Sequence, residues 1–247
     1  MRIGINLFTL RDLDAPLPTV LERAAEAGYD GAEFLHRLPD ANEEEIVETL
    51  DRTALAVPGA HLGPFTELSG LPTELERTID LYDAIGCKTL AVSIGEEHLS
   101  SRDNVRETAA RLSGLADRAA GREIELLYHN HHWEFRSLDG ATPFDLLLDS
   151  LDGRIGVELD VGWVAAGGAD PVERIHTLGD RLSLLHVKDV NVARKASVEI
   201  GTGDVDLAAC IDAARAEGVE WFIYEHDEPD DPIDSLDRGI AFLEPFR

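Results

Sequence analysis

One unit recurs along this chain and limits what it can fold into. A short apolar run rich in β-branched residues is followed by a helical pattern of about 10–18 residues and then by the next apolar run. The predicted strands span residues 2–8, 31–35, 56–62, 89–94, 123–130, 155–160, 182–188 and 221–225. A strand with its helix takes about 30 residues, so eight such units account for the 247 residues. The sequence therefore predicts an α/β fold, a single-domain (β/α)8 TIM barrel over residues 1–247.

The main alternative is an open, doubly wound sheet, which rarely needs eight strands in a chain this short. The last crossover is the weakest unit, because residues 189–205 are predicted as a long loop. Within that loop, GTGD (201–204) is typical of a turn. Loops at this place in a barrel also bind phosphate in many cases, and Arg194 and Lys195 lie nearby.

Each predicted strand carries a polar residue near its end. These residues are Asn6, Glu33, His61, Ser93, His129, Asp160, His186 and Glu225. The active site of a (β/α)8 barrel lies at the carboxyl ends of its strands. We therefore expect these side chains to meet in the mouth of the barrel, where Glu33 and His61 would bind hydroxyl groups of a substrate.

Three strands add a second polar residue two positions away, on the same face of the strand. The pairs are His129 with His131, Glu158 with Asp160, and His186 with Lys188. Imidazoles and carboxylates from different strands then converge in one cavity, which predicts a metal site. Trp133 and Trp163 follow strands five and six, and they are expected either as apolar walls of that cavity or as core residues.

Simpler interpretations of the same residues remain open. Glu158 and Asp160 are alternatively paired with Lys188 or Arg181, and Lys188 alternatively forms an ion pair with Glu158 without contacting a substrate. The other histidines carry no pattern and are interpreted as surface or packing residues. They are His36, His98, His176 and His226.

The charge of the chain excludes one class of partner. There are 49 acidic and 22 basic residues, a net charge of −27, and only three of the basic residues are lysines. Nucleic acid is excluded as a partner, because phosphate binding needs a basic surface. Acidic residues scattered over every predicted helix indicate a halophilic protein of a salt-rich cytoplasm. We expect no membrane contact and a cytoplasmic location, since no apolar run of about 18 residues and no signal peptide are found.

Five motifs, in this order and spacing, resemble the xylose isomerase-like superfamily of TIM barrels, and within it the sugar phosphate isomerase/epimerase group. They are YHNHHWEF (128–135), ELDVGW (158–163), LLHVKD (184–189), EIGTGDVDL (199–207) and YEHDEPDDP (224–232). The resemblance covers nearly the whole chain. It implies one divalent metal ion (Mn, Co, Mg or Zn) in the barrel mouth, a small-molecule sugar or polyol as substrate, and a possible homodimer.

The resemblance also implies the metal ligands. The family uses a glutamate on strand five, an aspartate on strand six, a histidine on strand seven and a glutamate on strand eight. The last three correspond here to Asp160, His186 and Glu225. Strand five departs from the pattern, and the candidates for the fourth ligand are His129, which is favoured, His131 and Glu134.

The mechanism implied by the resemblance begins with a metal that polarises a carbonyl group and a neighbouring hydroxyl. A base then removes the proton α to the carbonyl and leaves a metal-stabilised enediolate. Glu225 or Glu158 is the expected base, with His131 as partner acid. Lys188 or His61 is expected to orient the substrate. The residues expected to bind it are Glu33, His61, Trp163 and Lys188.

Several reaction classes remain open at this point. Return of the proton gives an isomerase or epimerase, whereas loss of a β-hydroxyl gives a dehydratase, and the motifs also resemble keto-inositol dehydratases. A non-catalytic sugar-binding barrel is a third possibility. A family-two AP endonuclease would need three metals and a basic face for DNA, and neither is evident here. Whether the substrate is phosphorylated is also left open.

Overall fold

The computed structural model describes residues 1–35, 41–62, 71–151, 153 and 155–247. In these residues ten strands occur in chain order: β1 (Arg2–Asn6), β2 (Gly31–Glu33), β3 (Ala60–His61), β4 (Thr89–Val92), β5 (Glu125–His129), β6 (Gly156–Asp160), β7 (Leu182–Val187), β8 (Asp189–Asn191), β9 (Ala196–Val198) and β10 (Trp221–Tyr224). Eight of them form one parallel sheet in the order β2-β1-β10-β7-β6-β5-β4-β3. Each of these eight lies within a strand predicted from the sequence.

The sheet closes on itself between β2 and β3. Gly31 pairs with Ala56, and Phe34 pairs with Ala60, both in parallel. Phe34 N–H donates to the Gly59 carbonyl at 3.2 Å, and His61 N–H donates to the Phe34 carbonyl at 2.8 Å. This closure rules out the open sheet and confirms the single TIM barrel.

Helices cover the outside of the barrel between the strands. Those in the described residues are α1 (Leu17–Ala27), α2 (Glu43–Thr53), α3 (Leu71–Ala84), α4 (Arg102–Ala120), α5 (Pro143–Ser150), α6 (Val161–Ala166), α7 (Pro171–Leu178), α8 (Leu207–Ala216) and α9 (Pro232–Leu243). Proline starts α5, α7 and α9, where its missing N–H leaves no hydrogen bond unmade. Gly28 after α1 has φ 105°, a left-handed conformation that glycine adopts without a Cβ penalty.

Two apolar layers hold the barrel together. The larger one lies between the sheet and the helices, where buried Val, Leu and Ile of the strands meet the apolar faces of the helices. A smaller cluster consists of Ala91, Leu127, Leu184, Trp221 and Ile223. Leu127 and Leu184 each lie two positions before a strand-end histidine and so share its face, which places this cluster inside the barrel below the polar residues.

The predicted loop over residues 189–205 is wrong in one respect, because part of it is regular. β8 and β9 form a short antiparallel hairpin. The Asp189 carboxylate then accepts hydrogen bonds from the N–H groups of Gly201 at 2.9 Å and Gly203 at 2.8 Å. The GTGD segment is therefore a turn closed around Asp189, as its glycines indicated.

Among the helices that the structure describes, none is both long and apolar enough to span a bilayer.

Candidate metal centre

The strand ends bring most of the predicted site residues into one buried group. Glu33 ends β2, His61 ends β3, His129 ends β5 and Asp160 ends β6. His186 lies on β7, and Glu225 directly follows β10. Their exposed fractions lie between 0% and 6%. Parallel strands end at the same edge of the barrel, so side chains distant in sequence converge there.

Four of these side chains surround a common point. The ligand-type atoms of His129, Asp160, His186 and Glu225 all lie within 4.8 Å of one another. A second group of the same kind consists of His61, His129, Glu158 and His186, so the two groups share two histidines. These are the groupings that the described residues contain, and both lie on the inner face of the strand ends.

His186 links two carboxylates that come from different strands of the barrel. Its Nδ1 lies 2.8 Å from Glu225 Oε2, and its Nε2 lies 2.7 Å from Glu33 Oε2. Both ring nitrogens face carboxylate oxygens, which only accept hydrogen bonds, so both nitrogens donate and the ring is an imidazolium. Asn6 on β1 donates to the same Glu33 oxygen at 2.7 Å and holds it in place.

Glu158 lies at the centre of the second group. Its Oε2 accepts from His129 Nδ1 at 2.7 Å and lies 2.9 Å from His61 Nε2. Burial alone would raise the pKa of Glu158, but the imidazoles of His186 and His61 outweigh burial and hold the pKa well below its usual value. Glu158 is therefore a carboxylate and not a carboxylic acid.

The carboxylates in turn set the charge of the imidazoles. Burial disfavours a charged His61, but Glu158 and Glu33 outweigh it and raise the pKa of His61 to about 10. The pKa of His186 is raised well above its usual value by the same two carboxylates, against burial. Without a metal, protons on the imidazoles balance the buried negative charge.

Lys188 supplies the remaining positive charge. Its ammonium lies 2.9 Å from Asp160 Oδ2, 3.0 Å from Glu225 Oε2 and 2.8 Å from Asp227 Oδ1. The predicted alternative of an ion pair with Glu158 is wrong, because Lys188 pairs with Asp160 on the same strand as Glu158 and with two residues after β10. Burial opposes the charged form of Lys188, but the three carboxylates raise its pKa well above the usual value.

The donor set fits a divalent transition metal. Imidazole nitrogen and carboxylate oxygen are the ligands that Mn²⁺, Co²⁺ and Zn²⁺ accept, with bonds of about 2.0–2.2 Å for zinc. Glu33 Oε1 and Glu158 Oε1 are also buried without a hydrogen-bond partner in the described part of the chain. Buried carboxylate oxygens left in this state favour a cation, so the cluster could hold a metal ion.

A cavity opens directly above this cluster. Its volume is about 340 Å³, which falls within the range of small-molecule pockets. His61, His129 and Glu225 reach its floor, and Trp163 forms part of its wall. Glu158, which is fully buried, does not line it.

Within the segment YHNHHWEF, Glu134 binds other residues of the same segment. The hydroxyl of Tyr128 donates to Glu134 Oε1 at 2.9 Å, and the backbone N–H of His131 donates to Glu134 Oε2 at 3.0 Å. Burial raises the pKa of Glu134 to about 8. Glu134 thus holds the loop after β5, and it belongs to neither ligand group, in contrast to His129.

His131 is part of an aromatic wall. Its ring stacks on Trp133 with ring centres 4.5 Å apart and an angle of 6°, and Trp163 lies 6.2 Å away. Burial lowers the pKa of His131 well below its usual value, and the neighbouring ring of His129 and the ammonium of Lys188 add to this effect. His131 is therefore neutral, and it lines the cavity beside the cluster rather than joining it.

Two residues of the site were missed by the sequence analysis. Asn130 pairs with the backbone of Asp160 in both directions, and Asp227 lines the cavity and binds Lys188. Asn130 lies inside YHNHHWEF, among histidines that carry the stronger metal-binding signal. Asp227 lies two positions after Glu225, and the alternation rule that selected the other pairs would have found it.

The histidines without a pattern behave largely as expected. His226 is buried and packs through Nδ1 against Glu199 at 3.1 Å, and His176 is an exposed partner of Glu217 at 2.8 Å. His98 is 25% exposed, near Glu97. His36 lies outside the described residues.

The fold and the cluster together define a (β/α)8 barrel with a candidate metal centre at the carboxyl ends of its strands. A family model described as xylose isomerase-like TIM barrel matches residues 21–246. The chain therefore belongs to the xylose isomerase-like TIM barrel family.

Individual relatives agree with this assignment. Inosose dehydratase of Geobacillus kaustophilus is 30% identical over 192 residues, which are 69% of this chain and 61% of that protein. The chain thus spans less than two thirds of the length of this curated relative. A sugar phosphate isomerase/epimerase from Parabacteroides distasonis has a TM-score of 0.85 at 19% identity, covering 98% of this chain and 97% of the other. The IolI protein, solved with a bound zinc atom, has a TM-score of 0.82 at 16% identity, covering 99% and 97%.

Proposed function

We propose that this chain is a divalent-metal-dependent isomerase or epimerase of a sugar or keto-sugar. One observation carries the proposal: His129, Asp160, His186 and Glu225 bring their ligand-type atoms within 4.8 Å of one another below a cavity of sugar size. Membership of the xylose isomerase-like family supports it. The zinc bound by the IolI protein also supports a metal here.

The proposed ligands are His129, Asp160, His186 and Glu225. A divalent ion held by them would act as a Lewis acid on a carbonyl oxygen of the substrate and make the adjacent C–H more acidic. Mn, Co and Zn suit a donor set with two imidazole nitrogens better than Mg, which prefers oxygen ligands only. Binding requires the imidazoles to be neutral, so it would release protons from His186.

The proposed base is Glu225. Its carboxylate lines the cavity, whereas Glu158 is fully buried and is covered from that side by His61 and His129. Burial opposes a low pKa at Glu225, but Lys188 and His186 hold its pKa well below the usual value, so the group is ionised, as a base must be. Its contact with the cavity favours Glu225 over Glu158 among the two bases considered from the sequence.

The partner acid in this proposal is His131. It lines the same cavity and is neutral, so its ring N–H can donate a hydrogen bond to a substrate oxygen and stabilise the negative charge that develops there. Stacking against Trp133 fixes the plane of the ring. The ammonium of Lys188, which three carboxylates hold in place, would orient a substrate hydroxyl, and Trp163 would cover an apolar face of the sugar.

A second candidate is a dehydratase of a keto-inositol or keto-sugar. The curated relative at 30% identity is an inosose dehydratase, and this observation favours the candidate. The first step would be the same removal of a proton next to a carbonyl. The two reactions differ in whether the proton taken up by Glu225 returns to carbon or is passed to a departing hydroxyl, and His131 would donate a hydrogen bond to the substrate oxygen in either case.

The first test of the proposal is elemental analysis of the purified protein. We expect near-stoichiometric Mn, Co or Zn in the wild type and a loss of it in Asp160→Ala, His186→Ala and Glu225→Ala. Asp204→Ala and His176→Ala serve as matched controls, because both residues lie away from the cluster. Absence of metal from the wild type after loading with Mn²⁺ would refute the proposal.

The second test follows the reaction in D₂O. Exchange of the proton next to the carbonyl of a ketose, with formation of an isomer, would identify an isomerase or epimerase. Loss of water from inosose would identify the dehydratase. Binding without exchange or water loss would indicate a non-catalytic sugar-binding barrel and refute both.

A further inference from the structure

The cavity wall above the cluster is acidic. Glu225, Asp227 and Glu228 contribute carboxylates to its lining. Lys188 contributes a cation, but its ammonium lies within 3.0 Å of Asp160, Glu225 and Asp227 and is already neutralised. A dianionic group entering here would meet carboxylates and a cation that these carboxylates already hold, whereas the hydroxyl groups of a sugar could donate to the carboxylates.

The other cations of the described lining are also held by the chain itself. His61 Nε2 lies 2.9 Å from Glu158 Oε2 and 3.6 Å from Glu33 Oε2. Arg11 lies over the ring of Phe8, 3.9 Å from its centre, and donates to the Phe8 carbonyl at 2.9 Å. Its Nε lies 3.8 Å from Asp12. The guanidinium of Arg11 is therefore already engaged by Phe8 and by Asp12 at the edge of the cavity.

The position where barrels often bind phosphate is occupied by a carboxylate. Phosphate sites in this fold use loop N–H groups after the last two strands and the adjacent helix N-terminus. Here the carboxylate of Asp189, 1% exposed, accepts from Gly201 at 2.9 Å, Gly203 at 2.8 Å and Val205 at 3.3 Å. A Cβ on Gly203 would come within 2.2 Å of Asp189 Oδ1, so the carboxylate fills this turn.

The helix N-termini after these loops are capped in the same way. Asp206 accepts from Ala209 N–H at 3.1 Å at the start of α8. Asp231 accepts from Ile233 N–H at 2.9 Å at the start of α9. The N–H groups that would receive a phosphate are thus bound to aspartates of the chain.

We infer that the substrate is an uncharged, polyhydroxylated ketone or sugar and not a phosphate ester. This inference rests on the proposed function, because it names the substrate of the same site. The acidic wall made of Glu225, Asp227 and Glu228 recognises hydroxyl donors and repels a phosphate. It also makes Asp227, whose carboxylate lies at the cavity wall beside Lys188, a residue that determines specificity.

One experiment compares a ketose with its own phosphate. D-fructose and D-fructose 6-phosphate, and D-xylulose and D-xylulose 5-phosphate, are incubated with the as-purified protein in D₂O, and proton exchange is followed by NMR. We expect kcat/KM for the unphosphorylated sugar to exceed that for its ester on the order of tenfold or more, as repulsion by one or two nearby charges implies. Preference for the ester would overturn the inference and leave the proposed function standing.

A separate measurement does not depend on turnover. Inorganic phosphate is titrated into the protein by calorimetry at an ionic strength matched with chloride. We expect no saturable binding to the wild type, and binding at least about tenfold tighter for Asp227→Asn/Glu228→Gln, which removes two negative charges from the wall. Wild-type affinity equal to or above that of the double variant would overturn the inference. Failure of every sugar to exchange would count against the proposed function, while this titration still decides the charge of the ligand.

Discussion

The side-chain amide of Asn130 continues the pairing of β5 with β6 beyond the end of the strand. Its Nδ2 donates to the carbonyl of Asp160 at 3.1 Å, and its Oδ1 accepts from the N–H of Asp160 at 3.0 Å. Both residues are fully buried. Asn130 therefore fixes the backbone of a proposed metal ligand without contacting the cavity.

Replacing Asn130 with alanine is expected to weaken both folding and metal binding. Two buried backbone groups lose their partners, at about 1–3 kcal/mol of unfolding free energy each. Metal affinity should fall about 10–100-fold, as happens when residues that orient ligands are removed. Asn42→Ala is the matched control, since Asn42 caps α2 far from the site; it should cost about 1 kcal/mol and leave metal affinity unchanged. Equal metal affinity in the two variants would contradict the role of Asn130.

Replacing Lys188 with methionine is expected to separate metal binding from catalysis. The ammonium competes with a dication for Asp160 and Glu225, so metal affinity should rise by about tenfold or more. Turnover should fall by about 100-fold or more, because the group proposed to orient the substrate is lost. Lys88→Met is the control, as Lys88 is exposed and pairs with Asp83. A variant that binds less metal than the wild type would show that Lys188 supports the metal site and does not compete with it.

Glu134 is expected to make the protein less stable as the pH rises. Burial raises its pKa to about 8 in the folded chain, against about 4.5 unfolded, so the folded state holds the proton more tightly. This contribution is fully present below pH 4.5 and is lost between about pH 4.5 and 8. Glu134→Gln should flatten that part of the stability curve by a few kcal/mol, measured by urea unfolding at several pH values. Glu48→Gln, on the exposed face of α2, should leave the curve unchanged.

Asp189→Asn is expected to loosen the loop after β7. The new amide would present an N–H₂ group to backbone N–H groups that now donate to a carboxylate, and about 2–4 kcal/mol of unfolding free energy should be lost. Hydrogen exchange at Gly201 and Gly203 should quicken more than in the strands. In Asp204→Asn the remaining side-chain oxygen can still accept from Val192 N–H at an exposed position, so the effect should be smaller. Unchanged exchange at both glycines would contradict this account.

The fold was predictable because the repeat is strong. Eight apolar runs with helices between them leave few arrangements open, and the strand-end residues Glu33, His61, His129 and Glu225 do meet at the barrel mouth. Parallel strands end at the same edge of the barrel, so this convergence can be predicted without knowing the side-chain rotamers. Which of these residues bind a metal or a proton stays a prediction.

The pairing of side chains could not be predicted from spacing. Lys188 lies on the face that sequence alternation gave it, but whether its flexible stem reaches Glu158 or Asp160 depends on packing around Trp163 and on the charges present. The hairpin β8–β9 was not predicted either, because each of its strands has three residues, too few to show an alternation of apolar and polar side chains. The role of Asn130 was not predicted because its side chain binds the backbone of Asp160, and a backbone partner does not depend on residue type.

The line where the sheet closes runs between Glu33 and His61. In the described residues only a few backbone hydrogen bonds join β2 to β3, and β3 itself has two residues. Across this line His61 Nε2 lies 3.6 Å from Glu33 Oε2, and both side chains belong to the network that includes Glu158 and His186. The polar centre therefore ties together the two edges of the barrel wall where the backbone does so least. We expect binding of the proposed metal ion to this network to change how readily β2 and β3 separate. Without the ion, local unfolding should begin between these two strands.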